Sequence, residues 1–178
     1  KDWRPGQRIV SDNTGHVCGR CPACERGDYL LCSEKVNLGL GYGYSGGFTK
    51  YCRIPGEILA IHKRAIWEIP EGLEYEEAAV MDPICNAYKA IAQRSGLLPG
   101  ENVVIFGTGP LGLFSVQIAK IMGALNIVVV GLEEDVKVRF GVARQLGATE
   151  VVNGSAEDVV KRCQEICGGS DSIGLVVD

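Results

Sequence analysis

The chain has 178 residues, 46% of them hydrophobic, and a formal net charge of −4. That is enough apolar material for one large core or two smaller ones, and no cluster of Lys and Arg interleaved with aromatics is present to track a phosphate backbone, which excludes nucleic acid as a partner. The longest apolar runs, such as Ile127 to Val130, are far too short to cross a bilayer and no charged leader precedes an apolar stretch, so a soluble, cytoplasmic protein without a membrane partner is expected.

From Lys1 to about Ile69 short alternating stretches are punctuated by Gly and Pro, and Gln7 to Ser11, Phe48 to Ile54 and Ile58 to Ile61 are strand candidates. Inserted among them, Cys18, Cys21, Cys24 and Cys32 follow the spacing CxxCxxCx7C. Four soft thiolates so close in sequence can wrap one tetrahedral zinc at about 2.3 Å per sulfur, with Gly19, Pro22 and Gly27 supplying the turns. Two alternatives stand beside this. Disulfides require geometry that near neighbours rarely meet, and an iron-sulfur cluster of the bacterial ferredoxin kind would continue with x3 and Cys-Pro, where this sequence has seven residues and then Cys32-Ser33. A site filled by four protein ligands has no open position for a substrate, so its role would be to hold the loop together.

Around Tyr75 to Ala92 the period becomes helical, with an interruption expected at Asp82-Pro83. The domain boundary is placed here, giving parts 1–83 and 84–178. Strand and helix patterns then alternate: strand Asn102 to Phe106, helix Pro110 to Met122, strand Asn126 to Leu132, helix Asp135 to Leu146, strand Glu150 to Val152, a helix capped by Ser155 and running to Cys167, and strand Ile173 to Asp178. Near-continuous apolar strands joined by helices predict an α/β fold with a parallel sheet covered on both faces.

The sequence GTGPLG, with Gly107, Thr108, Gly109, Pro110, Leu111 and Gly112, lies between the first of these strands and its helix. Its glycines serve a tight turn, close approach of backbone to a pyrophosphate, and close packing of helix on strand, and Pro110 sits where a missing N–H does no harm. With a strand before it and a second beyond, the motif has the context of a dinucleotide-binding loop. Glu133 and Glu134 fall where an acid would meet the ribose hydroxyls, which favours NAD over NADP, with NADP left open by nearby Lys137 and Arg139. The same acids, with Asp135, also suit a helix N-terminus. Glycine, at 24 residues, is well above the usual share of about 7%, and this fits a chain of ligand-cradling turns. Cys163 and Cys167 are read as core residues on one helix face, Cys52 as part of a strand, Cys85 as near Asp82, and His62, next to Lys63 and Arg64, as a solvated turn.

Taken together, the cysteine loop, the run IPEGLEYEEAAVMDP and GTGPLG resemble the medium-chain zinc-dependent alcohol dehydrogenases, within them the sorbitol and threonine dehydrogenase branch, over essentially the whole chain. The resemblance implies a β-rich GroES-like catalytic domain carrying the zinc loop in the first part and a Rossmann domain, with full strand order 3-2-1-4-5-6, in the second. It implies a zinc-dependent oxidoreductase that moves hydride between an alcohol and a nicotinamide cofactor, with a second, catalytic zinc, and a homo-oligomer when intact. The family's catalytic zinc ligands come mostly from a segment with a cysteine and a His-Glu pair, absent here, where His16 and His62 are the only histidines. Its remaining acid, a Glu-Pro, is matched by Asp82-Pro83, which makes Asp82 the candidate active-site acid, with a helix N-cap as the alternative role. A first residue that is Lys, and a last strand with nothing after it, suggest a fragment whose Rossmann part stops after its fourth strand. A non-catalytic dinucleotide-binding or sensor module is the rival reading.

Overall fold

The computed structural model describes residues 3–12, 15–35, 40–41, 44–62 and 64–178; Lys63, beside His62, lies outside them. The chain divides into two compact units, Lys1–Ala79 and Val80–Asp178.

In the first unit, regular structure is sparse. Strand β1 (Ile9–Ser11) pairs antiparallel with β2 (Ile66–Glu68), Val10 opposite Trp67. Helix α1 (Pro22–Glu25) lies in the cysteine loop, α2 is Gly56–Ile61 and α3 is Tyr75–Ala79. Two strand expectations fail here. Ile58 to Ile61 is helical, His62 N–H reaching the Ile58 carbonyl at 2.7 Å; a four-residue apolar run has no period of its own, and Pro55, extended at the helix entry, sets the direction instead. Phe48 to Ile54 forms no strand, and with Phe48 and Tyr51 both strongly exposed it has no apolar face to bury. The Arg8 guanidinium ties the unit across its length, donating to the Leu73 carbonyl at 2.6 Å and lying 4.5 Å from the Tyr75 ring centre.

The second unit opens with α4 (Met81–Tyr88), continued by a wider π-helical turn over Lys89–Arg94. The helical break falls at Val80 rather than at Asp82-Pro83, because Pro83 rides in the first turn of α4, where no N–H is needed. Four parallel strands follow: β3 (Asn102–Phe106), β4 (Ile127–Gly131), β5 (Glu150–Asn153) and β6 (Ile173–Val177), in the order β5-β4-β3-β6. This is the expected order of the first four strands of a doubly wound sheet, and the α/β class is as read from the sequence. Successive residues of each strand face opposite ways. Val103, Ile105, Ile127 and Val129 pack with Val116 and Ala119 of α5 (Pro110–Ile121) and Ala143 of α6 (Arg139–Leu146). Val104, Val128, Val130 and Val152 pack with Cys163 and Cys167 of α7 (Val159–Cys167). Each such aliphatic side chain, fully buried, is worth about 1.5–3 kcal/mol, and covering both faces explains why these strands read as apolar throughout.

Two helix starts differ from expectation. The predicted helix from Asp135 splits into a short 3-10 turn, Glu133–Asp135, and α6, because the Asp135 carboxylate accepts the Leu132 N–H at 2.8 Å and closes its own turn. The N-cap of α7 is Asp158, which accepts the Lys161 N–H at 3.1 Å, while the Ser155 hydroxyl accepts the Glu133 N–H. At the amino end of the sheet, the buried Asn102 amide donates to the Cys167 and Ser172 carbonyls and its oxygen accepts from Asn126.

Candidate metal centre and dinucleotide loop

The cysteine loop is built from tight turns. Cys21 precedes Pro22 at the start of α1, the Gly27 N–H returns to the Cys24 carbonyl at 3.0 Å, and a 3-10 turn over Tyr29–Leu31 delivers Cys32, whose N–H meets the Tyr29 carbonyl at 3.2 Å. These turns bring the Sγ atoms of Cys18, Cys21, Cys24 and Cys32 within 4.8 Å of one another, and among the described residues they form the only such cluster of three or more metal-ligating side chains. All four thiols are free, and the Cys18 and Cys24 sulfurs, 4.0 Å apart, are far beyond a bond. The sulfur spacing of a tetrahedral zinc site is about 3.8 Å from its bond length, so the arrangement fits one zinc with small adjustment.

Electrostatics in the loop pull two ways. Backbone N–H groups of Cys24 and Ser33 favour the Cys21 thiolate and bring its pKa down to about 6, and the Cys18 N–H, 3.3 Å from the Cys32 sulfur, lowers that of Cys32. Burial pushes Cys24 up to about 12. A divalent cation at the centre would offset that burial cost, since a coordinating thiol is deprotonated by the metal's own charge. Val17, Tyr29 and Ile61 pack around the sulfurs. His62 is buried rather than in a solvated turn: its ring packs 4.5 Å from that of Tyr29 and its Nε2 lies 3.5 Å from the Asp12 carboxylate. The turn after α2 draws it inward, which composition around His62 does not reveal.

In the second unit the glycine turn leaves the C-terminal end of β3. Gly107 has φ +92° and donates its N–H to the Val130 carbonyl at 2.8 Å. Gly109 is the N-cap of α5 with Pro110 at its first position, so the first-turn N–H groups, lacking intrahelical partners, open at the sheet's carboxyl edge. A Cβ on Gly112 would collide with the Gly107 carbonyl. Glu133 and Glu134 follow β4 on the adjacent 3-10 turn, Glu133 accepting from the Asn153 amide at 2.6 Å. Sequence reasoning passed over Asp135 as a site residue: it binds the hydroxyl of Thr108, inside GTGPLG, at 2.5 Å. The only signal was its place three residues past Leu132, where a side chain can cap its own turn.

Asp82 is exposed on the second residue of α4, not at its N-cap, which is Val80, and its carboxylate accepts from Asn86 at 3.2 Å. No thiol or imidazole joins it in a ligand group among the described residues. Cys163 and Cys167 are buried in the core as expected, while Cys52 and Cys85 are exposed.

A parallel sheet with a glycine turn at a helix N-terminus defines a Rossmann-type unit, here in one chain with a loop of four clustered cysteines. Two family profiles match it, the alcohol dehydrogenase GroES-like domain over residues 1–64 and the zinc-binding dehydrogenase over residues 110–177. A zinc-type alcohol dehydrogenase-like protein of Escherichia coli K12, YdjL, described as uncharacterized, is 70% identical over 100% of this chain and 50% of its own length. D-arabitol-phosphate dehydrogenase of Enterococcus avium is 34% identical over 92% of this chain and 44% of its own. The crystal structure of an NAD-dependent alcohol dehydrogenase superimposes with TM-score 0.78 at 28% identity, covering 95% of this chain and 46% of that one. The chain belongs to the medium-chain zinc-dependent alcohol dehydrogenase family, and it spans about half the length of the curated relatives it matches.

Proposed function

We propose that the whole protein is a zinc-dependent oxidoreductase that passes hydride between an alcohol and a nicotinamide cofactor, the alcohol being a polyol, a hydroxy amino acid or a secondary alcohol. The observation that carries this reading is the glycine turn of Gly107 to Gly112, opening at the carboxyl edge of the parallel sheet where dinucleotides bind. The cofactor, when bound, supplies the hydride acceptor. The turn and the first N–H groups of α5 would hold its diphosphate, and Glu133 and Glu134 its ribose hydroxyls, which favours NAD over NADP. Cys18, Cys21, Cys24 and Cys32 would hold one structural zinc.

Asp82 is the acid this reading assigns to the active site of the whole protein. Among the described residues no donor set fits a second, catalytic zinc, and catalysis by that metal is not assigned to them. In the same reading residues 1–83 belong to the catalytic domain and 84–178 to the cofactor domain of a cytoplasmic homo-oligomer. That the described residues hold a single ligand cluster also favours one rival, a dinucleotide-binding module without turnover.

Calorimetric titration of full-length protein with NAD and NADP, followed by assay against polyols, hydroxy amino acids and secondary alcohols, separates these readings. Binding with reduction of the nicotinamide is the expected result; binding with no turnover on any alcohol leaves the module, and no binding of either dinucleotide overturns both. Elemental analysis is expected to find zinc and no iron at the cysteine loop.

A further inference from the structure

We propose that Asp135 is a positioning residue of the dinucleotide site, its carboxylate fastening the glycine turn to the end of β4 through the hydroxyl of Thr108. This rests on the dinucleotide reading above.

Thr108 is buried, and its Oγ1 donates to Asp135 Oδ1 at 2.5 Å. The other oxygen, Oδ2, accepts the Leu132 N–H at 2.8 Å. Both oxygens of this carboxylate are therefore engaged inward, and turning either one toward a ribose hydroxyl would forfeit a charge-assisted hydrogen bond. The same two donors, with Arg139 nearby, hold the Asp135 carboxyl below its ordinary value, so it is anionic at neutral pH. The Thr108 hydroxyl has spent its only proton on Asp135 and offers none to a phosphate.

The contact depends on Gly131 at the tip of β4. A Cβ there would stand 2.8 Å from Asp135 Oδ2 and 2.9 Å from the Thr108 methyl, so a side chain at Gly131 would push the two partners apart. With the Gly107 N–H already bonded to the Val130 carbonyl, the turn is pinned to β4 twice, once by backbone and once by this side-chain pair. The second pin acts at Thr108, between Gly107 of the tight turn and Gly109, whose backbone would approach a diphosphate, where a small displacement redirects the N–H groups that would receive it. Glu133 stands apart, exposed and bonded to Asn153 rather than to the turn.

The test is calorimetric titration of full-length protein and its variants with NAD and, separately, NADP. Thr108→Val keeps the shape and removes the donor, Thr108→Ser restores the donor, and Asp135→Asn exchanges one acceptor oxygen and the negative charge for an amide donor, so that it can no longer accept from both Thr108 and the Leu132 N–H. Thr108→Val and Asp135→Asn are each expected to weaken both dinucleotides about five- to tenfold and by the same factor, as loss of about one hydrogen bond implies, with Thr108→Ser within about twofold of the native protein. Should Asp135→Asn not fold, as read by its circular dichroism melt, the two Thr108 variants decide alone. A loss confined to NAD, with NADP spared, would make Asp135 a ribose contact and overturn the inference, as would unchanged affinity in Thr108→Val. Native protein that binds neither dinucleotide would instead sink the functional reading beneath it.

Discussion

Between Val80 and Asp178, four strands place alternate side chains on two faces, and helices close over both. Between Lys1 and Ala79 the described regular structure is two three-residue strands, three helices of four to six residues and one 3-10 turn, held by the Arg8 and Tyr75 contact and by the packing around four sulfurs. The second unit takes its order from apolar packing on both faces of its sheet. The first has only a small apolar cluster around its cysteine loop, and if the four thiolates hold one metal as proposed, its order there would depend on that metal.

Removing the metal should break this contrast most sharply. Because zinc binding by such a loop is largely folding free energy, on the order of 10 kcal/mol, chelation or Cys24→Ser is expected to abolish amide protection across residues 17–32 in hydrogen exchange while the four-stranded sheet keeps its own. Undiminished protection in the loop after zinc is stripped would refute the proposed metal role. The reverse experiment is Ile105→Ala, where the side chain is fully buried. It should cost about 2–5 kcal/mol in urea unfolding of the second unit and leave zinc content at its native stoichiometry. A smaller effect is expected of His62→Ala, which removes the ring packed on Tyr29 and costs about 1–2 kcal/mol; the melting curve should shift even though zinc remains bound.

The smallest effect concerns pH. Asp135 has its carboxyl held below the ordinary 3.8 of an unfolded chain, so its folded form binds a proton less readily. The contribution is therefore full above that ordinary value and is lost as the pH falls through the lower folded one. The stability gap between native protein and Asp135→Asn is expected to persist at neutral pH and to close in acid as the carboxyl takes up its proton, as read by urea titration; a gap that widens in acid would reverse the sign argued for this group.

The difference between the units also governs what could be read beforehand. The strands of the second unit and GTGPLG were readable because their determinants are local: apolar runs of strand length, and glycines at fixed offsets between a strand and a helix. The cysteine spacing was equally local. The pairing of Ile9 with Glu68 was not, since β2 is three residues whose strand character comes only from its distant partner. Ile58 to Ile61 lacked a period long enough to separate strand from helix. His62 sits among charged neighbours in sequence, and only the fold turns it toward Tyr29 and Asp12. The pair of Thr108 and Asp135 escaped for a related reason, since it joins two loops that meet only when β3 and β4 lie side by side.

Asn102 gives β3 two ends with different obligations. Its amide stitches the exit of α7, the start of β6 and the approach to β4 into one knot, at the rim opposite the one where Gly107 turns. The knot asks for a single side chain of one shape, and the opposite rim asks for the absence of one at Gly112 and Gly131, so β3 is held at one end by an amide that must be there and at the other by room that must stay empty.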